Sequence, residues 1–165
     1  MDFVSYFTAG MGYAVAKGNP KNVNPDDLCG LNVAVETGTV EEDAINETAK
    51  QCKADGKKDI TIQSSKQQTD ATTAVVTGKA DVFFADSPVV GYAIAQTEGQ
   101  LEQLGKDFDS VPNAIAIKKG DSQTTDAVQK AMQKLMDDGT YGKILQHWGV
   151  ESGALDKAEI NPSVG

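Results

Sequence analysis

Four short apolar runs, each followed by a segment of helical period, constrain this chain more than any other feature. They are LNVAVET (31–37), DITIQS (59–64), ADVFFAD (80–86) and NAIAIKKG (113–120). A fifth run, GYAVAKG (12–18), ends in Gly-Asn-Pro, which reads as a strand entering a turn. After the first run, residues 40–55 repeat Ala44, Ile45, Thr48, Ala49 and Cys52 at helical spacing, and Gly56 stops the helix. Residues 66–78 predict a second helix ending at Gly78. Residues 87–98 predict a third, with Ser87 or Asp86 as cap and Pro88 in the first turn. Strands that are nearly continuous apolar runs, alternating with helices, predict an α/β domain whose mainly parallel sheet is flanked by helices. The tail differs. Residues 121–138 carry Ala127, Val128, Ala131, Met132, Leu135 and Met136 on one helical stripe, Gly139 stops it, and YGKILQHWGV predicts a short closing helix.

The 165 residues suit one ordinary domain or one and a half small ones. A net charge of −9 argues against a nucleic-acid partner, which needs clustered cations. All 15 cations are lysine, so the bidentate grip of arginine on a carboxylate or phosphate is absent. No apolar run reaches the roughly 18 residues of a membrane span. Met1 runs directly into DFVSYF, which reads like the inside of a folded domain, so no signal segment is expected here and Met1 reads as an initiator on a fragment. Cys29 and Cys52 leave two readings open: two small core residues, or a disulfide closing a loop of about 24 residues, worth roughly 3 kcal/mol. Two cysteines do not complete a tetrahedral zinc site, and the single histidine, His147, lies far along the chain beside Trp148, where a structural role is expected. No metal or cofactor is expected.

In an open α/β sheet, ligands bind beyond the carboxyl ends of the strands. Two loops qualify. In VETGTVEED, a strand meets Gly38 and then a helix whose first N–H groups suit an anion; alternatively Thr39 caps the helix while Glu41, Glu42 and Asp43 complement its dipole. In DVFFADSP, four apolar residues precede Asp86, which either caps the next helix or meets a ligand. An amide nest and a lone carboxylate together describe a site for a zwitterion. No Gly-x-Ser-x-Gly, Walker or His-Glu-x-x-His motif occurs, and nothing singles out Glu36 and Asp86 as an acid–base pair, so no catalytic residue is expected.

Four segments, DFVSYFTAG, DLCGLNVAVETGTVEED, ATTAVVTGKADVFFADSPVVGYAI and LMDDGTYGKILQHWGVESG, resemble in that order the polar amino-acid-binding proteins of ABC transporters, the type II periplasmic solute-binding proteins. The resemblance covers essentially the whole chain, but only the later part of such a protein. It implies a hinge strand at 1–9, a ligand-binding lobe two at 10–112, and a return segment with C-terminal helices at 113–165 belonging to lobe one. It also implies that Asp86 takes the ligand's α-ammonium and that backbone amides at Gly38, Thr39 and Val40 take its carboxylate. Cys29 and Cys52 match a lobe-two disulfide of the family, which implies that they pair. Two departures stand out: Val40 replaces a usual hydroxyl residue, and Glu36 replaces a usual neutral one, an acid that would favour a cationic ligand. The family's carboxylate-gripping arginine belongs to its first lobe.

The expected function is therefore that of a solute-binding component holding an amino acid in an interlobe cleft for an ABC permease, in a periplasmic or lipid-anchored extracytoplasmic location. With half the contacts missing, ligand binding by this chain is expected to be weak or undetectable. An enzyme of the dehydratase kind on the same fold, or a sensing module of a larger receptor, is the alternative. The stripe of Val128, Met132, Leu135 and Met136, joined by Ile144, Leu145 and Trp148, is expected to need cover, either from the chain's own lobe or, as the favoured outcome, from a second copy in a homodimer built by tail or hinge exchange.

Overall fold

A computed structural model describes residues 1–163. Five strands form one sheet: β1 (Asp2–Ala16), β2 (Asn32–Glu36), β3 (Thr61–Ser65), β4 (Val82–Asp86) and β5 (Leu101–Ile117), in the order β3-β2-β4-β1-β5. β2 pairs parallel to both β3 and β4, whereas β1 runs antiparallel to β4. Between them lie α1 (Val40–Ala54), α2 (Gln68–Val76) and α3 (Ser87–Gln96); α4 (Ser122–Asp137) and α5 (Thr140–Trp148) follow β5. The mixed α/β sheet flanked by helices is thus as the alternating runs predict. β1 joins the hinge strand implied at 1–9 to the run at 12–18 in one strand, whereas β5 exceeds the expectation, beginning at Leu101 although only 113–120 reads as a strand. The segment LEQLGKDFDSVP hides its strand because β5 is the sheet's edge: its burial alternates irregularly, and charged residues, Gly105 and Pro112 interrupt the apolar pattern.

The chain divides into two compact units, one from Met11 to Phe108 and the other from residues 1–10 together with the segment from Asp109 onward. The last two residues of the expected return segment 113–165 lie outside the described residues.

In the Met11–Phe108 unit, β2 and β4 carry the interior. Val33, Ala34, Val35, Val82, Phe83 and Ala85 are completely buried, and Phe84 nearly so. Burying each phenylalanine is worth about 1.5–3 kcal/mol. One layer joins Phe83 and Ala34 to Val75, Val90 and Leu101; the other joins Phe84, Val33 and Val35 to Ile45, Cys52 and Ile60. Tyr13, Phe84 and Phe108 bring β1, β4 and β5 together, with ring centroids 4.7 Å apart for Tyr13–Phe84 and 5.1 Å for Tyr13–Phe108. Cys29 and Cys52 are joined by a disulfide, their Cα atoms 5.7 Å apart, tying the loop before β2 to the end of α1. This is the pairing that the family resemblance implies.

In the other unit, Val4, Phe7, Ala9 and Ile117 from the strands meet Tyr141, Leu145 and Ala158, with Val128, Met132, Leu135 and Met136 packed against them. The Tyr141 hydroxyl donates to the Tyr6 carbonyl at 2.9 Å and accepts the Leu155 N–H at 3.0 Å. Gly153 sits so close to β1 that an added Cβ would lie 2.1 Å from the Phe7 ring and 2.3 Å from the Thr8 carbonyl. The outer parts of β1 and β5 cover the stripe within the chain, the first of the two outcomes expected for it, leaving Ile144 and Trp148 about half exposed, at 49% and 51%.

Candidate functional site

The parallel register Val33↔Val82 and Ala34↔Phe83 carries the carboxyl ends of β2 and β4 side by side. β2 ends at Glu36 and β4 at Asp86, so both loops singled out by sequence open on one edge of the sheet, within the Met11–Phe108 unit. Asp86 pairs across to Met11 of β1. Its side chain is exposed, after four residues that are at most 2% exposed. It occupies the N-cap position of α3 but makes no side-chain capping hydrogen bond. The carboxylate is therefore held at the rim by a rigid strand and is not spent on its own helix.

At the other loop, Gly38 turns the chain with φ +80°, and an added Cβ would meet nothing within 4 Å. Thr39 caps α1: its hydroxyl donates to the Glu36 carbonyl at 2.9 Å and accepts the Glu42 N–H at 3.2 Å. Glu42 reaches back, accepting the Gly38 N–H at 2.7 Å and the Ser64 hydroxyl of β3. Those bonds, the Gly38 N–H foremost, hold the Glu42 carboxyl below the usual glutamate range. The turn expected to offer amides to a ligand thus already holds the chain's own carboxylate. Val40 projects outward, 66% exposed, and Glu36 is half-buried.

Glu41 is the unusual member. Only 3% of it is exposed, and its Oε1 is buried without a hydrogen-bond partner. Burial first, and the Asp86 charge beside it, push the Glu41 carboxyl above the usual glutamate range, against the hydrogen bond from its own N–H. A further acid, Asp107 of β5, escaped the sequence reading. Its Oδ1 would lie 3.1 Å from a Cβ at Gly12, the residue after Met11, and it accepts the Gln103 side-chain N–H at 2.7 Å. Asp107 falls in the stretch whose strand character is hidden, so the sequence held no signal for it. His147 is exposed on α5 against Trp148, with ring centroids 5.2 Å apart, in the other unit. Among the described residues, no group of three or more His, Cys, Asp and Glu side chains is placed to hold a metal ion.

The sequence pattern of the bacterial extracellular solute-binding proteins, family 3, matches residues 1–151, and the chain belongs to that family. It is 39% identical over 161 residues to the arginine-binding protein ArgT of Corynebacterium glutamicum, an alignment covering 97% of this chain and 53% of that protein. It is 26% identical to the ABC transporter glutamine-binding protein GlnH of Bacillus subtilis, over 87% of this chain and 49% of that protein. Among solved structures, an ancestral cationic amino-acid solute-binding protein superposes with a TM-score of 0.75 at 29% identity, covering 89% of this chain and 61% of that one. The chain spans about half the length of the curated relatives it matches.

Proposed function

We propose that this chain forms the lobe-two part of an amino-acid-binding protein serving an ABC permease outside the cytoplasm, and that its ligand is a cationic amino acid. The observation that carries the reading is Asp86: an exposed carboxylate fixed at the end of a fully buried strand and not used as a cap. In this role Asp86 takes the α-ammonium. The turn Gly38–Thr39–Val40 takes the α-carboxylate, which replaces Glu42 on the Gly38 N–H. Glu36, Glu41 and Asp107 make this end of the sheet acidic, which suits a ligand with a second positive charge better than the neutral side chain of glutamine. The similarity to ArgT and to the ancestral cationic binder supports that choice, and the GlnH similarity names its competitor. The Cys29–Cys52 disulfide suits an oxidising, extracytoplasmic compartment.

Calorimetric titration of a full-length binding protein carrying this lobe with L-arginine and L-glutamine tests the reading. Arginine is expected to bind more tightly, and Asp86→Ala is expected to weaken it at least about tenfold, since a desolvated ammonium loses its counter-charge. Equal affinity of the wild type and Asp86→Ala would leave Asp86 without a ligand role.

A further inference from the structure

A cavity of about 410 Å³ lies where β5 runs past Tyr13 of β1, and every residue that lines it belongs to the Met11–Phe108 unit. It includes neither Asp86 nor any residue of 36–42. Its floor is aromatic. The Tyr13 and Phe108 rings stand 5.1 Å apart, and both pack on Phe84, with centroids at 4.7 and 6.0 Å. Phe84 is 2% exposed, whereas Tyr13 and Phe108 are only half-buried. Two rings of a core cluster thus show part of their surface at an edge strand, where charge is the usual protection.

The loop between β1 and β2 supplies the wall. Pro25 stands against Gly105, which turns β5 with φ +73°; an added Cβ there would lie 3.3 Å from the Pro25 ring. Asn24 bridges to Asp27, and its side chain accepts the Asp26 N–H at 3.1 Å. The Asp27 carboxylate accepts the Cys29 N–H at 3.2 Å and pairs with Lys57 at 3.0 Å, and the Cys29–Cys52 disulfide ties the loop to α1. Asp27 is therefore engaged in holding the loop, and its neighbour Asp26 is not. Asp26 from the loop and Lys106 from β5 both line the cavity and are exposed. Among the described residues, neither of these side chains makes a hydrogen bond or ion pair. Asp107, the other acid there, accepts the Gln103 side-chain N–H.

We infer that this cavity is a second ligand site, one for a small zwitterion carrying a flat apolar group, of which an aromatic amino acid is the simplest case. A ring laid on Tyr13 and Phe108, beside Pro25, covers apolar surface that the fold leaves open and makes the offset contacts aromatic pairs prefer. The ligand's ammonium meets Asp26 on the loop, and its carboxylate meets Lys106 on the strand. A ligand of a single charge leaves one of these two groups unmatched. The volume stands near the lower end of the roughly 300–1,000 Å³ of small-molecule pockets, which suits one ring with a short polar tail. The inference does not rest on the ammonium site proposed for Asp86.

Nitrogen-15 amide spectra of the whole chain, recorded as L-phenylalanine is added, test the inference. Saturable shifts are expected at Tyr13, Asp26 and residues 105–108, with a dissociation constant in the millimolar range of a small, open site. Asp26→Ala and Lys106→Ala remove exposed side chains that make no other bond, so the fold is kept. Each is expected to weaken phenylalanine binding about threefold, the scale of an exposed charge pair. Phenethylamine, which lacks the carboxylate, and phenylpropionate, which lacks the ammonium, are expected to bind more weakly than phenylalanine. No saturable shift at these residues, or shifts confined to 36–42 and 86–88, overturns the site. Phenylalanine binding that either substitution leaves unchanged, or equal binding of either single-charge analogue, overturns the zwitterion.

Discussion

The Met11–Phe108 unit and the unit formed by residues 1–10 with the segment from Asp109 onward build their interiors differently. In the first, two strands bury every residue between their ends, and a disulfide closes the loop before β2. In the second, α4 carries a strongly one-sided apolar stripe, yet the one residue it fully buries is Thr125; Val128, Met132, Leu135 and Met136 are partly covered. Polar ties compensate there. The Asp2 carboxylate accepts the Gly120 N–H at 2.9 Å, the Phe3 N–H donates to the Asn161 side chain at 2.9 Å, and Val4 bridges to Ile160. A rigid, densely filled sheet is what a fixed carboxylate rim requires. A unit held by half-buried methionines and exposed hydrogen bonds opens at lower free energy.

The largest effect expected from this contrast is at Phe84. Phe84→Ala should cost about 3–5 kcal/mol in denaturant unfolding, while Met132→Ala on α4 should cost under about 2, because its side chain is already part-exposed. Equal costs would erase the distinction. Next comes the disulfide: its reduction should lower stability by roughly 3 kcal/mol and raise hydrogen exchange in the loop before β2 and in α1. Exchange rising instead mainly in α4 and α5 would mean the two interiors are coupled.

Smaller effects distinguish the units by pH. The folded Glu41 carboxyl is raised, so its contribution is fully present below the ordinary value of 4.5 and is lost as pH climbs through the folded value. Glu41→Gln should therefore stabilise the protein at pH 7, by about 1–3 kcal/mol for a buried group with an unpartnered oxygen, and change little near pH 4. Asp138 has the opposite sign. The Thr140 hydroxyl, the Thr140 N–H and Lys134 lower its carboxyl from 3.8 to about 2, so its contribution is present above 3.8 and fades as pH falls through about 2. Asp138→Asn should speed exchange at the start of α5 at neutral pH, with the difference from wild type shrinking toward pH 2. A difference that grows with acid would contradict the assignment.

The elements that sequence revealed are those whose pattern has one cause. ADVFFAD reads as a strand because both its faces are buried, and residues 40–55 read as a helix because one face is. β5 escaped over 101–112 because an edge strand has no consistent inside, and with it went Asp107. Glu36, Gly38, Thr39, Val40, Glu41 and Asp86 were all legible as residues at or just beyond strand ends. The inward turn of Glu41 was not, since it depends on β4 ending beside α1, a placement set by the β2–β4 register. Nor was the occupation of the Gly38 N–H by Glu42, which needs Ser64 of β3 to hold the same carboxylate.

The central claim is that a cationic amino acid meets the protein at the joined ends of β2 and β4. Nitrogen-15 amide spectra recorded while L-arginine is added test it most directly. The account predicts shifts concentrated at residues 36–42 and 86–88, absent in Asp86→Ala. Shifts confined to α4 and α5, or a pattern unchanged by Asp86→Ala, would contradict it.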